Sequence, residues 1–277
     1  MNILVRALFA LLVVAVAHDA RAQLGLSPSH FDLSETDARR TQTFRVSNFG
    51  SEPVHIRTEL VAFDIDSDGQ VVELAPHERS LERHLAISPI EFEIPAGGSQ
   101  AVRFAMRPVQ ALVAGEYRGM VYFRLTGSAS LGENAKLPVS YRLGGAIYVQ
   151  VGAIQRNAEL AEITPVDGRE LRFVLRSTGS ANARMRGRYA VWTRQAWAAG
   201  QPLPPLAQAN KPVPAGLLMN GALPGRPVLP GKTVSYAMPL AQDARPLAPG
   251  EYVLHVSGKL EQDVLERVIP FRVGPGR

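Results

Sequence analysis

Hydrophobic and polar side chains alternate along residues 137–152, in the middle of the chain. The apolar residues share one parity and are Leu137, Val139, Tyr141, Leu143, Ile147, Val149 and Val151. A period of two is the pattern of a β-strand, and at about 3.3 Å per residue this strand would reach roughly 50 Å. Pro138 lacks a backbone N–H, which favours an edge strand. The pattern predicts a long edge strand, one half of which closes a sandwich while the other half is available to a partner.

The same alternation recurs in short segments along the rest of the chain, with turn residues between them. In the first half, the predicted strands cover residues 24–33, 41–48, 54–63, 70–74, 85–94, 100–107 and 116–125. No segment of helical length shows an apolar period of 3.6 residues. Seven or so short strands within about 125 residues are typical of an immunoglobulin-like β-sandwich.

The second half repeats features of the first at the same spacing. Pro95 and Tyr117 are 22 residues apart, and so are Pro230 and Tyr252. In each pair the proline begins a glycine-containing turn and the tyrosine ends a Gly-Glu-Tyr motif. A repeated spacing of this kind indicates two homologous units.

We therefore predict an all-β chain with two immunoglobulin-like β-sandwich domains, residues 23–152 and residues 153–277. The second domain contains an irregular stretch, residues 196–227, which is rich in Pro, Gly, Ala and Gln. We interpret it as a proline-stiffened connection, and a functional loop is the alternative.

The first 22 residues have the pattern of a cleavable signal peptide. An apolar run of 11 residues, 7–17, follows Arg6, and residues 20–22 read Ala-Arg-Ala, which fits an A-x-A cleavage site. A membrane-spanning helix needs about 20 apolar residues. We expect an exported protein that begins near Gln23 and is located in the periplasm, without membrane insertion.

The composition of the chain excludes some kinds of functional site and makes one kind of partner unexpected. The chain contains no cysteine, which excludes disulfides, thiolate metal sites and a cysteine nucleophile. The formal net charge is +5 at pH 7, and most basic residues are scattered arginines on alternate strand positions. Because the chain has no Lys/Arg run, nucleic acid is not expected as a partner.

One acidic motif has two interpretations. Asp64, Asp66, Asp68 and Gly69 match the first half of a calcium loop, but Ala75 stands where the bidentate acid is expected. Asp-Gly between two strands is also a favoured hairpin turn. We favour the turn and predict no metal site.

The remaining residues of catalytic type show no pattern that indicates an enzyme. The histidines beyond the signal peptide lack metal-ligand spacing and are His30, His55, His77, His84 and His255. The sequence has no G-x-S-x-G elbow, P-loop or G-x-G-x-x-G motif. We predict no catalytic residue and no cofactor.

The segment 85–103, LAISPIEFEIPAGGSQAVR, combines a Ser-Pro pair, alternating Phe and Ile, a Pro-Ala-Gly turn and a Gln-Ala-Val-Arg strand in this order. With these motifs the chain resembles the periplasmic chaperones of the chaperone-usher pilus pathway. Residues 26–30 (Leu-Ser-Pro-Ser-His) and 46–48 (Val-Ser-Asn) also resemble the first two strands of that family. The resemblance extends over residues 24–151.

The resemblance implies donor-strand complementation, in which the chaperone adds a strand to a pilus subunit that lacks one. Leu137, Val139 and Tyr141, with Leu143, match the alternating donor residues of the family. The alternative is that these side chains fill the core of their own domain.

The chain departs from the family at the carboxylate anchor. The family binds the terminal carboxylate of the subunit with an Arg on the first strand and a Lys on the donor strand, and those positions are His30 and Ala146 here. Histidine is largely neutral at neutral pH. Arg142 lies four residues before Ala146 on the same parity, so it is the candidate for a displaced anchor that binds a carboxylate bidentately.

These features predict a non-enzymatic periplasmic chaperone that binds pilus or fimbrial subunits through the 137–151 strand and delivers them to an outer-membrane usher. A structural or adhesive cell-surface protein with tandem immunoglobulin-like domains is the alternative. An exposed edge strand would also allow a self-capping homodimer.

Overall fold

The computed structural model describes residues 24–108, 111–126, 128–130, 136–138, 142–166, 168–206, 212–242 and 245–274. The predicted signal peptide, residues 1–22, lies outside the described residues. Across the described ranges, no helix is long and apolar enough to cross a membrane.

The first part of the described chain forms strands, as the alternation predicts. It also contains one four-residue helix. In chain order the elements are β1 (Leu24–Ser27), β2 (His30–Ser34), α1 (Glu35–Ala38), β3 (Gln42–Asn48), β4 (Val54–Ile65), β5 (Val71–Leu74), β6 (Leu85–Ser88), β7 (Glu91–Ile94), β8 (Ser99–Met106), β9 (Gly115–Thr126), β10 (Ser128–Ser130), β11 (Lys136–Pro138) and β12 (Arg142–Val151).

These strands form two main sheets. One has the order β1-β3-β8-β6, and the other has the order β2-β12-β9-β4-β5, with β7 also paired to β4. The pairs are antiparallel except for β2 and β12, which are parallel. Side chains on one parity of both sheets are buried together, so the alternation in the sequence becomes the core of a sandwich. Phe44, Phe104, Ile56, Phe123 and Ile147 belong to this core.

The second part of the described chain repeats this plan. Its strands are β13 (Ala158–Val166), β14 (Glu170–Ser177), β15 (Ala183–Thr193), β16 (Leu217–Ala222), β17 (Pro227–Val228), β18 (Thr233–Pro239), β19 (Ala241–Gln242), β20 (Arg245–Pro246), β21 (Gly250–Leu260) and β22 (Asp263–Val273). One sheet has the order β13-β14-β18 and the other β16-β15-β21-β22, with β17 also paired to β15.

Two tyrosines mark the equivalent corner in each sandwich. The Tyr117 hydroxyl accepts a hydrogen bond from the Val113 N–H at 3.1 Å. The Tyr252 hydroxyl donates to the Ala248 carbonyl at 2.6 Å, again four residues upstream. A tyrosine bound to the backbone just upstream of its strand is a hallmark of immunoglobulin-like folds. The chain therefore has two immunoglobulin-like β-sandwiches, and the domain bounds at residues 152 and 153 stay a prediction.

Three details differ from the sequence prediction. The predicted strands 24–33 and 85–94 are each divided, at Pro28 and Pro89, and the two pieces of each pair with different strands. Proline has no N–H for the ladder, so the chain leaves one sheet at these positions. The stretch 196–227 also contains strand β16, which pairs with β15 and so is more than an irregular connection.

The Asp64 motif forms the turn between β4 and β5. The Asp66 side chain accepts hydrogen bonds from the N–H groups of Asp68 and Gln70 at 3.0 and 2.8 Å. The Asp64 carboxylate binds the Lys232 ammonium of the second sandwich at 2.7 Å. The acids of this motif are therefore engaged separately, and the described residues contain no group of three or more His, Asp or Glu that could hold a metal ion.

Candidate functional site

Strand β12 is paired along its whole length on one edge and along half of it on the other. It pairs with β9 from Arg142 to Val151. On the other edge, β2 pairs only with residues 146–150. Within the described ranges, the edge beside residues 142–145 therefore pairs with no strand. Free N–H and C=O groups on such an edge can bind another strand.

The strand predicted over residues 137–152 is described in two pieces. β12 begins at Arg142, and residues 136–138 form the separate strand β11, which pairs with β10. Residues 139–141, and with them Val139 and Tyr141, lie outside the described residues. Among the described residues of β12, the edge is unpaired beside residues 142–145, and β2 covers the following five residues.

The predicted donor residues are in different surroundings. Leu137 is in β11, opposite Ala129 of β10. Leu143 is half-buried and packs against the core of the first sandwich, opposite Phe123 of β9. The Leu143 side chain is therefore part of its own sandwich.

Arg142 is partly exposed and already has partners. Its guanidinium forms an ion pair with Glu73 of β5 and lies 3.8 Å from the centre of the Tyr122 ring, which is a cation–π contact. To bind the carboxylate of another chain, Arg142 would exchange the Glu73 carboxylate for it. Its role as an anchor stays a prediction.

His30 and Ala146 lie side by side, as partners in the parallel β2–β12 pair. Burial and the nearby charge of Arg184 lower the pKa of His30, Arg186 acts in the same direction, and Asp32 opposes them. The lowered pKa keeps His30 neutral at pH 7. Fixed positive charge at this point comes instead from the second sandwich.

Asp32 connects the two sandwiches beside His30. Its carboxylate lies 3.5 Å from Arg184 Nε and 3.6 Å from Arg156 Nη2, and it accepts a hydrogen bond from Asn182 Nδ2 at 2.8 Å. The Arg184 side chain is only 6% exposed. Its guanidinium also lies 5.1 Å from the centre of the Tyr148 ring of β12. A buried cation of the second sandwich is thus held against the first.

Glu116 of β9 makes a second polar contact between the sandwiches. One of its carboxylate oxygens accepts from both the backbone N–H and the side-chain amide of Asn182, at 2.8 and 2.7 Å. Burial raises the pKa of Glu116, although these hydrogen bonds and the charge of Arg118 oppose the shift. The other oxygen, Oε1, is buried without a hydrogen-bond partner among the described residues.

This junction could not be found by sequence reasoning. Asp32, Glu116 and Asn182 have no motif around them, and Asp32 is 150 residues from Asn182. The nearest residue that the sequence singles out is His30, which is the first residue of β2. What surrounds it depends on how two separate sandwiches pack.

The raised pKa of Glu116 predicts a pH dependence of stability. Ionisation of the folded protein is costly at this site, so Glu116 lowers the free energy of unfolding as pH rises through and above its ordinary pKa of 4.5. A Glu116→Gln variant cannot ionise and its carbonyl oxygen can still accept from Asn182. Chemical denaturation from about pH 4 to about pH 8 should show that the free energy of unfolding of the variant increases relative to that of the wild type as pH rises. A constant difference would contradict the burial of a charged carboxylate here.

Similarity to known proteins is found among solved structures. No protein-family model matches the sequence, and a search of curated proteins finds none similar to it. Among solved structures, the chain is similar to the class 5 fimbriae chaperone CfaA at 14% identity, over 91% of this chain and 99% of that chain, with a TM-score of 0.44. It is similar to the E. coli chaperone DraB at 11% identity, over 88% and 96%, with a TM-score of 0.42.

A third similar structure comes from the CsuC-CsuE complex of a chaperone and a tip adhesion subunit, from the archaic chaperone-usher Csu pili of Acinetobacter baumannii. It has 13% identity over 78% of this chain and 91% of that chain, with a TM-score of 0.42. These are chaperones of the kind that residues 85–103 resemble. At these identities and TM-scores, the similarities assign no activity to this chain.

Proposed function

We propose that this protein is a non-enzymatic periplasmic chaperone that binds pilus or fimbrial subunits by strand addition and passes them to an outer-membrane usher. The observation that carries the proposal is the half-open edge of β12, unpaired beside residues 142–145 in the described ranges. An added strand would gain backbone hydrogen bonds there, and alternate apolar side chains would give selectivity.

The surroundings of this edge support a site for another chain. The open segment ends at the His30–Ala146 pair, where β2 takes over the pairing and Asp32, Arg156 and Arg184 hold the two sandwiches together. An incoming strand would therefore extend an existing sheet and end at a rigid, charged junction. Leu137, Val139, Tyr141 and Leu143 remain the proposed contact residues on the sequence pattern.

The proposal predicts that Val139→Asp combined with Tyr141→Asp abolishes client capture. Each apolar side chain removed from water contributes about 1.5–3 kcal/mol, and two lost contacts correspond to roughly a hundredfold or more in affinity. The measurement is recovery of small secreted proteins with the tagged mature protein from the periplasm of the native host. Ser140→Asp places one charge on the opposite parity and is the matched control, with recovery close to that of the wild type.

The same experiment separates the alternatives. Loss of clients with a retained circular dichroism spectrum supports strand addition. If the double variant unfolds, the two residues belong to the core of their own domain, and if it captures the same proteins as the wild type, the strand-addition proposal fails. An Arg142→Met variant in the same experiment tests whether Arg142 binds the carboxylate of the client. Unchanged capture would show that Arg142 is not part of the binding site.

A further inference from the structure

The outer face of the second sandwich contains a cavity of about 530 Å³, away from β12. Its floor is the sheet β15-β21-β22, where Arg188 faces Ser257 and Ser257 faces Glu266 across the strands. Trp197 and Gln201, from the segment between β15 and β16, line the other side. Ligand pockets in proteins have volumes of this order, with a few polar groups placed in a largely apolar wall.

His255 lines this cavity with an unsatisfied ring nitrogen. Its side chain is 5% exposed, and its Nε2 atom is bound to the Glu266 carboxylate. Burial opposes ionisation of Glu266, but the hydrogen bonds from Ser257 and His255 outweigh it and lower the pKa of that carboxyl, so the Glu266 carboxylate accepts a hydrogen bond from Nε2–H. The other ring nitrogen, Nδ1, is buried without a hydrogen-bond partner among the described residues.

Two side chains that line the same cavity have N–H donors that are not used in hydrogen bonds. Arg188 uses one N–H in a hydrogen bond to the Pro204 carbonyl at 2.9 Å, and no acidic group in the described ranges is paired with it. A guanidinium has five N–H donors. Gln201 accepts from the Ala198 N–H through its oxygen at 3.3 Å, while its amide nitrogen is buried with no partner among the described residues.

We propose that this cavity binds a small organic acid that carries a hydroxyl group. The carboxylate would accept hydrogen bonds from Arg188 and Gln201, and the hydroxyl, which can donate or accept, would form a hydrogen bond with His255 Nδ1. Trp197, Pro202 and Val268 supply apolar contact for the body of the ligand. The three unsatisfied groups are thereby used by one molecule, and the site acts independently of the β12 edge.

The test is a titration of the folded mature protein with 3-phenyllactate, followed by calorimetry and by tryptophan fluorescence. The chain has two tryptophans, and one of them, Trp197, lines the cavity. For a ligand of this size we expect a dissociation constant on the order of a millimolar or tighter. The methyl ester lacks the carboxylate and 3-phenylpropionate lacks the hydroxyl. Each should bind about tenfold more weakly or worse, because a buried hydrogen-bonding group is left unpaired.

Two variants complete the test. Arg188→Met should weaken 3-phenyllactate by about tenfold to a hundredfold, whereas Arg267→Met removes a charge from the neighbouring exposed position on β22 and should bind like the wild type. His255→Phe should remove the preference for 3-phenyllactate over 3-phenylpropionate. If His255→Phe fails to fold, the comparison of the two acids on the wild type decides the role of Nδ1. No saturable binding to the wild type, equal affinity for all three compounds, or an Arg188→Met variant that binds normally would each overturn the proposal.

Discussion

An Asp32→Asn variant is expected to lose about 2–4 kcal/mol in the free energy of unfolding. The substitution keeps the shape of the side chain and an oxygen that can still accept from Asn182. It removes the negative charge between Arg156 and Arg184, the second of which is only 6% exposed. A buried cation without its counter-charge is strongly destabilising, because the protein no longer compensates the hydration that the cation gave up.

Urea denaturation of the wild type and of Asp32→Asn measures this loss. Glu170→Gln is the matched control, since Glu170 pairs with Arg172 at 2.7 Å on the surface and exposed pairs contribute about 1 kcal/mol or less. Because Asp32 joins the two sandwiches, the variant should also unfold over a broader transition than the wild type. A loss no larger than that of Glu170→Gln would show that the Asp32 cluster is effectively solvated.

A Phe44→Ala variant is expected to cost about 3–5 kcal/mol. The Phe44 side chain is fully buried, and its ring centre lies 4.9, 5.4 and 5.7 Å from the ring centres of Phe31, Phe104 and Phe123. Truncation leaves a cavity in the centre of the first sandwich, and the surrounding rings can fill it only in part. Phe49→Ala, at a side chain that is 65% exposed, should stay within about 0.5 kcal/mol of the wild type.

Gly145 of β12 offers an independent check of this packing. A Cβ atom at Gly145 would lie 2.6 Å from Cε1 of Phe44, so Gly145→Ala should destabilise the wild type by about 1–3 kcal/mol. In the Phe44→Ala background the methyl group enters the new cavity, and the cost should shrink or vanish. Additive costs in a double-mutant cycle would mean that the two positions do not touch.

The fold was largely predictable because it depends on local patterns. Alternation in the sequence gave the approximate ranges of β3, β4, β8 and β9. In β3 and the first half of β4, buried residues alternate with more exposed ones, as the pattern implies. The equal spacing to Tyr117 and Tyr252 identified equivalent corners because the same fold places a tyrosine there twice. Strand β16 was missed, as its residues are all of intermediate or full exposure and show no alternation.

The candidate site was predictable only in part. The edge strand was visible in its alternation, but its pairing was not, because whether β2 covers residue 143 or residue 146 depends on register between distant segments. The ion-pair partner of Arg142 could not be predicted from the sequence either. Glu73 is separated from it by 69 residues, and the sequence gives no sign that β5 lies close to the start of β12.

The parallel pairing of β2 with β12 gives the open edge a polarity. The unpaired segment 142–145 comes before the His30–Ala146 pair in the direction in which both strands run. A guest strand parallel to β12 would point its carboxyl end at His30, whereas an antiparallel guest would bring its amino end there. Burial and the charges of Arg184 and Arg186 lower the pKa of His30 and Asp32 opposes them, so this corner contains charges of both signs. Under the proposed strand addition, the two directions would therefore bring different end groups to the corner that Asp32, Arg156 and Arg184 form.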